Sequence, residues 1–347
     1  MRQDWQQFLE ENGAAVVEGK VTDFGNPTRE RKVVTSGSVI ADLSHTGIIA
    51  AQGEDARQFL LNQFTNDVSQ VSDALSQLNG YCNPKGRLLA LFRLFMRHDV
   101  IHLQVHRGLM EPAMKRLRMF VLNAKVTLDD VSDSFVRIGF AGARAEDELR
   151  AVTDAVPEAP DRALTAGGVT IIRLGGIQPR FEILAEVDDM KKIWGRLNVN
   201  AAPVGAEAWE LLDILAGLPD ISPETSEEYV PQMVNLEAVN GLSFKKGCYP
   251  GQEIVARMQY LGKLKRRMYR IHIEDADVTP GSDVVDDSGN KVGALLRCAR
   301  AQDNGYEALA VLEIAASDRP LHIGAADSPV IKMAELPYSV ADRTKSE

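Results

Sequence analysis

Apolar residues recur along this chain in two rhythms, near every third or fourth position and near every second, and the alternation between them outlines its elements. The opening stretch, residues 4–18, predicts an amphipathic helix lying at the periphery, followed by a polar, strand-poor link through Asn26 and Pro27 to Lys32. From Val33 the pattern turns to short strands with clustered β-branched residues, VVTSGSVIADLS and GIIAAQG. Ala56, Phe59, Leu60 and Phe64 then fall near helical spacing behind an acidic turn, which predicts a helix over 54–65. Asn83, Pro84, Lys85 and Gly86 form a turn signal between two strand-like runs, so Tyr81 and Cys82 are expected to pair with 88–96 in a hairpin. A helix over 109–122 and strands at 126–128 and 135–140 follow.

From Gly142 the alternation repeats. It predicts a helix over 143–156, strands 169–174 and 180–186 separated by Gly175, Gly176 and Pro179, and a helix over 188–197. Two similar-sized blocks, 33–130 and 131–200, thus mix strand and helix, which favours an α+β fold over a doubly wound sheet. No G-x-G-x-x-G or G-x-x-x-x-G-K-S/T run is present to support a nucleotide cofactor. A further helix over 206–216 carries Trp209 and stops at Gly217, Leu218 and Pro219. Beyond Met268, the runs MYRIHIE, DVVDDSGNKVGALLRCA, YEALAVLEI and PVIKMAEL are strands punctuated by Gly, Pro and Asp, the texture of a small all-β unit.

Composition narrows the function classes. At 347 residues, with 45% apolar and 25% charged residues, the chain has the make-up of a globular protein of two or three units. A net charge of -10 argues against a whole-surface affinity for nucleic acid or anionic membrane. Its three cysteines, Cys82, Cys248 and Cys298, are odd in number and lack a C-x-x-C pair, so they predict neither a disulfide framework nor a zinc site. An ordinary iron–sulfur cluster takes about four cysteine ligands, which this chain does not supply alone. The six histidines form no H-x-x-x-H pair, so no metal site is expected. The acidic N-terminus lacks a signal-peptide pattern and the most apolar later run, 88–96, is short and carries Arg93, so a cytoplasmic protein without membrane spans is expected.

The most informative stretch is KKGCYPGQE, residues 245–253. It is too polar and too kinked for a core helix or central strand, and reads as a loop that presents groups. Cys248 stands at its centre with Lys245 and Lys246 immediately before it, a setting of positive charge that suits a reactive thiol if the side chain is exposed. The alternative is that Cys248 is a small packed hydrophobe, as lone cysteines usually are. Trp209 offers either a stacking surface or an ordinary core ring. His45, alone at a strand end, reads as a satisfied structural residue, with a ligand or base as the alternative.

The segment from Leu215 to Arg257, and above all the run K-G-C-Y-x-G-Q-E at 246–253, resembles the signature region of the YgfZ family of folate-binding proteins. ADLSHTG at 41–47, CNPKGR at 82–87 and a closing LPYS at 336–339 fall in the order that the family shows. The family is similar in fold to the T-protein of the glycine cleavage system. The resemblance implies a ring of two interlocked α/β units plus a C-terminal β-barrel, with tetrahydrofolate in the central hole. It divides the chain into an N-terminal helical extension at 1–32, a folate-binding region at 33–262 whose second subdomain begins near 131, and the barrel at 263–347. It further implies Trp209, Thr46, Lys246, Tyr249, Gln252, Glu253 and Arg257 as folate-binding residues and Cys248 as the reactive one.

Three departures from T-proteins bear on activity. Where those enzymes carry an aspartate pair, this chain reads LLALF at 88–92; where they have a pterin-contacting glutamate, it has Leu215; and Thr46 replaces a methionine. General acid–base chemistry needs a titratable group near the reacting nitrogen, and Asp213, two residues before Leu215, is the candidate substitute in that helix. The expected function is therefore a tetrahydrofolate-binding accessory protein that supports iron–sulfur cluster assembly or repair and, through it, tRNA modification, with iron–sulfur enzymes or cluster-assembly proteins as partners. The alternative is a tetrahydrofolate-dependent one-carbon transferase. Between 245 and 270, eight basic residues stand against Glu253 alone, a strip suited to a folate glutamate tail, an acidic partner or RNA. With few aromatics interleaved, direct nucleic-acid binding is the least expected of the three.

Overall fold

A computed structural model describes residues 1–340 other than 154, 261 and 275; the last part of the expected terminal unit, 341–347, and one position of the helix expected over 143–156 lie outside the described residues. In chain order the elements are α1 (Gln3–Glu11), β1 (Ala15–Val17), β2 (Lys20–Asp23), α2 (Pro27–Val33), β3 (Ser38–Asp42), β4 (Thr46–Gln52), α3 (Ala56–Leu61), β5 (Gln77–Cys82), β6 (Leu88–Arg97), β7 (Val100–His106), α4 (Arg107–Val121) and β8 (Thr127–Asp130). Then come β9 (Val136–Ala141), α5 (Ala145–Arg150), β10 (Ala163–Ala166), β11 (Val169–Leu174), β12 (Arg180–Ala185), α6 (Val187–Leu197), β13 (Ala201–Val204), α7 (Ala206–Leu215) and α8 (Gln252–Tyr260). The terminal unit holds β14 (Arg266–Ile273), β15 (Asp283–Asp286), β16 (Lys291–Arg300), β17 (Tyr306–Glu313), β18 (Leu321–Ile323) and β19 (Lys332–Ala334).

A five-stranded sheet of order β5-β6-β7-β4-β8 and a six-stranded sheet of order β10-β11-β12-β9-β3-β13 make the two α/β units. They interlock because β3, from the first block of sequence, pairs antiparallel with β9 and parallel with β13 in the second sheet. The third sheet, β18-β15-β16-β17-β14-β19, is an antiparallel half-barrel with β18 and β19 at its edges. No described helix is long and apolar enough to cross a membrane.

Strand pleating sends successive side chains to opposite faces, and this sets where the site lies. On the six-stranded sheet, Ile40, Ile138, Phe140, Phe181 and Ile183 form one core with α1 and α6. Met190, Ile193, Trp194 and Leu197 supply the buried stripe of α6 at helical spacing. The other face carries Val39, Ala41, Ala141, Ile172 and Leu184, which meet Phe95 and Ile48 of the five-stranded sheet and Trp209 and Leu212 of α7. That interface between units also holds Arg180, Glu182 and Arg137, since Glu182 stands opposite Gly139 and Arg137 opposite Leu184 in the β9–β12 ladder.

Several expectations are corrected. The N-terminal helix ends at Glu11, where Asn12 caps it and Gly13 takes a positive φ of 93°, and a short hairpin of β1 and β2 follows in place of more helix. Nor is it peripheral: Trp5 and Leu9 are fully buried in the core of the second unit, and Trp5 Nε1 donates to Asp42 Oδ1 at 2.8 Å. Helices expected over 54–65 and 143–156 shorten to α3 and α5, and β10 joins the second sheet where no strand was expected. The 245–253 loop leads directly into α8, an unexpected helix. The hairpin around residues 83–86 and the positions of α4, α6 and α7 agree with the sequence reading.

Candidate functional site

Where the three units meet, charged side chains converge. From the second sheet come Arg137, Arg180 and Glu182; from the first, Gln104, His106 and Thr46, the last two paired in the β4–β7 ladder; from α7, Trp209, Glu210 and Asp213; and from β16 of the half-barrel, Arg297. Gly139 creates the space for the Trp209 ring, because a Cβ there would lie 2.6 Å from three of its carbon atoms. Over that ring sits the Arg180 guanidinium, 5.5 Å from the centroid.

The arginines are held by a shared carboxylate. Asp213 Oδ1 accepts from Arg180 Nη2 at 2.7 Å and Oδ2 from Arg297 Nη2 at 3.1 Å. Arg297 further donates to Glu210 through Nε at 2.5 Å and Nη2 at 2.6 Å, and to the Leu218 carbonyl at 2.9 Å, so the half-barrel is latched onto α7. Burial acts to raise the Asp213 carboxyl, but Arg180 and Arg297 outweigh it and hold it below the usual carboxylate range. Burial, reinforced by Lys20 and Arg137, pushes the His45 imidazole down to about 3, so it is neutral at physiological pH. The turn bearing His45 and Thr46 is fixed from the N-terminus, through the Trp5 bond to Asp42 and the Asp42 bonds to Ser44.

Several buried polar atoms here have no partner among the described residues: His45 Nδ1, Gln104 Oε1, Nε and Nη1 of both Arg137 and Arg180, and Glu182 Oε2. Buried polar groups normally find partners. Such a concentration of donors beside acceptors suits a flat polar guest that carries both. Glu182 Oε1 is already engaged by Gln104 Nε2 at 3.1 Å, which bridges the two sheets.

The second candidate region is the 245–253 loop. It is docked where Gly251, at φ +81°, meets the 83–86 turn: a Cβ on Gly251 would lie 2.4 Å from the Asn83 carbonyl oxygen and 2.6 Å from Gly86 Cα. Two sequence runs far apart in the chain, CNPKGR and KGCYPGQE, therefore form one surface. Lys246 does not reach outward to the thiol. Its ammonium donates to the carbonyls of Leu61 and Phe64 and lies 4.7 Å from the Tyr249 ring centroid, and burial lowers it to about 8. Among the three cysteines, Cys248 alone is exposed; burial pushes the Cys82 and Cys298 thiols up to about 12.

The structure thus divides the residues expected at one site into two groups. Trp209 and Thr46 belong to the junction, with Trp209 only 3% exposed and its face covered by Arg180, so it supports an arginine and offers no open stacking face. Lys246, Cys248 and Tyr249 belong to the docked loop, while Gln252, Glu253 and Arg257 lie on α8, the last two exposed. Arg137, Arg180, Glu182 and Arg297 were missed. The signal was present: charged residues inside otherwise apolar strands, as in RFEILA and GALLRCA.

The profile described as the GCVT N-terminal domain matches residues 7–243. The tRNA-modifying protein YgfZ of Colwellia psychrerythraea is 32% identical over 306 residues, covering 87% of this chain and 93% of that protein. The protein of the same name from Edwardsiella ictaluri is 31% identical, over 84% of this chain and 89% of its own length. Glycine cleavage system aminomethyltransferase T from Bartonella henselae is similar in fold, with a TM-score of 0.76 over 95% of this chain and 96% of that one at 16% identity. The expected α+β, T-protein-like fold class is therefore correct. The chain belongs to the YgfZ family, built on the GCVT N-terminal domain.

Proposed function

We propose that the chain binds tetrahydrofolate at the three-unit junction and acts as an accessory protein for iron–sulfur enzymes, and through them for tRNA modification, with Cys248 as its reactive group. The observation that carries the folate reading is the set of unpartnered buried atoms at the junction. A pterin ring presents an amino group, ring N–H groups and an oxo oxygen. Glu182 Oε2 would accept from the first two and the free N–H groups of Arg137 and Arg180 would donate to the oxygen, while Trp209 keeps Arg180 in place. Tetrahydrofolate, when bound, supplies a one-carbon carrier.

One-carbon transfer by this chain is disfavoured by β6. Leu88, Ala90, Leu91 and Phe92 are all buried apolar residues, so that segment places no titratable group at the junction. The accessory reading rests on Cys248, the exposed thiol. Among the described residues no group of three or more His, Cys, Asp or Glu side chains is placed to hold a metal ion; a cluster would meet Cys248 from a partner protein.

The test is a tetrahydrofolate titration followed by intrinsic fluorescence, with a one-carbon transfer assay on the same preparation. Wild type should bind, and Glu182→Gln should bind roughly tenfold or more weakly, the size expected for losing a hydrogen bond to a charged group. Equal affinity for the folded Glu182→Gln protein would remove the junction as the folate site. Robust transfer to tetrahydrofolate would replace the accessory reading with the transferase.

A further inference from the structure

Helix α8 leaves the docked loop with one face uncovered. Val255 is buried, whereas Glu253, Ile254, Arg257 and Tyr260 are exposed and recur at helical spacing. Ile254 is 41% and Tyr260 69% exposed, large apolar surfaces for two positions on one short helix. Phe244 meets the Tyr260 ring edge-on at 6.0 Å, and Ile254 lies against Gly86, so the stripe runs into the 83–86 turn at one end and the segment before the loop at the other.

The basic strip divides by partner. Arg266, Arg267 and Arg270 pair with Glu313, Glu237 and Glu307, and Lys246 is turned inward. Lys85, Lys245, Arg257, Lys263 and Lys265 are exposed and have no carboxylate within ion-pair distance among the described residues. Glu253 is the one carboxylate on the exposed stripe of α8. Cations without counter-charges, set beside apolar side chains at the exposed thiol, are the features of an interface with a protein of opposite charge. Nucleic acid fits less well: Tyr260 is the one exposed aromatic on the stripe, and the chain as a whole carries -10.

We propose that the exposed face of α8, with Lys85, Lys245 and Cys248, is a docking surface for an acidic segment of a partner protein, whose apolar residues rest on Ile254 and Tyr260 and whose carboxylates meet the unpaired cations. This deepens the accessory reading and rests on it for the use made of Cys248. The surface itself is testable without folate.

The probes are two synthetic peptides, each with one cysteine activated as a 2-thiopyridyl disulfide, the first rich in Glu and Leu and the second with every Glu replaced by Lys, together with a small uncharged disulfide of the same leaving group. The Cys248 thiolate attacks the peptide sulfur, forms the mixed disulfide and releases pyridine-2-thione, whose absorbance gives the rate; Cys248→Ser supplies the background. At low salt the acidic peptide should react about tenfold or more faster than the basic one, and the ratio should collapse at high salt. Lys245→Glu combined with Arg257→Glu should reverse the preference. Ile254→Ser should slow the acidic peptide while leaving the small disulfide unchanged. Equal rates for the two peptides overturn the proposal, whatever the folate titration shows. Protection of the thiol by a single-stranded RNA more effectively than by an unactivated acidic peptide of equal charge also overturns it, in favour of a nucleic-acid face.

Discussion

The junction and the thiol loop put charge to opposite uses. At the junction Arg180 is fully buried and Arg297 nearly so, and each is locked by Asp213 into one orientation. Around the loop the cations stay in water, and the charge nearest Cys248 in sequence, Lys246, is spent on backbone carbonyls to anchor the chain. A buried ionic lattice fixes geometry at a desolvation cost, which suits recognition of a small polar ligand. An exposed, unpaired set contributes little to stability and remains available to a partner. The register of the sheets keeps the two apart: Arg93, Phe95 and Gln104 face the junction, whereas Phe92 and Leu94 belong to the core on the other face, where Phe64 and Tyr81 support the loop.

The contrast is tested most strongly at Asp213. Asp213→Ala would leave two buried guanidinium groups without their shared acceptor, and breaking buried pairs of this kind costs about 3–5 kcal/mol. Urea unfolding should show that loss. If Arg297 orients Arg180 through Asp213, a double-mutant cycle between Arg180→Ala and Arg297→Ala should give a coupling of about 0.5–3 kcal/mol. A change under 0.5 kcal/mol for Asp213→Ala would mean that the network is not the structural keystone of the junction.

Glycines set the next level. Gly139→Ala drives a methyl into the Trp209 ring and should destabilise by about 1–3 kcal/mol through overpacking. Gly251→Ala meets backbone atoms at a positive φ, where neither neighbour is a flexible side-chain end, and should cost a similar amount. Thermal unfolding checks both. Gly251→Ala should also change the reactivity of Cys248, because it lifts the loop from the 83–86 turn, while Gly139→Ala should also change folate affinity and leave Cys248 reactivity as it is. Interchanged effects would show that the two regions are coupled.

The pH response should follow the junction. The folded Asp213 carboxyl lies below its ordinary value of 3.8, so its contribution is complete above the unfolded carboxylate range and is lost as pH falls through the depressed folded value. His45 acts in the same sense: with a folded value of about 3 against an ordinary 6.5, its contribution is full above 6.5 and declines as pH falls toward 3. Chemical denaturation at a series of pH values should show stability falling on acidification from about pH 6.5, and His45→Gln should flatten the upper part of that fall. A pH-independent plateau down to 4 would contradict the His45 assignment, whereas the Asp213 loss is read only below its ordinary value of 3.8.

The sequence made these two regions legible to different degrees, for physical reasons. KKGCYPGQE stood out because its Gly, Pro and charge density leave no regular element that could absorb it, and the exposure of Cys248 follows from the same composition. The helix carrying Trp209 and the hairpin before Leu88 were equally readable, since spacing and turn chemistry are local. Local pattern does not report tertiary pairing. Arg180 and Glu182 stand out as charges in an otherwise apolar strand, but what they face is set only by the pairing of β12 with β9 and its packing on the first sheet, and nothing near Lys246 announced that its ammonium would fold back onto α3. Asn12 and Gly13 did carry a helix stop, which the longer amphipathic reading of the N-terminus overrode.

The smallest expected effect on stability belongs to the residue with the largest expected effect on function. Cys248 is exposed and its side chain accepts no load from the core, so Cys248→Ser should shift unfolding by less than about 0.5 kcal/mol and leave tetrahydrofolate affinity at the wild-type value, because the junction lies on the other face of the five-stranded sheet. Cys82→Ser should destabilise, since it buries a hydroxyl in the core that holds Tyr81 and Leu88. In cells the order inverts: Cys248→Ser should abolish support of iron–sulfur enzymes under oxidative stress, whereas Cys298→Ser should retain it. Enzyme activity in extracts, measured beside the folate titration, separates the alternatives. Normal iron–sulfur activity with Cys248→Ser would leave the docked loop as a structural clasp, held by Gly251 and Lys246 and presenting nothing.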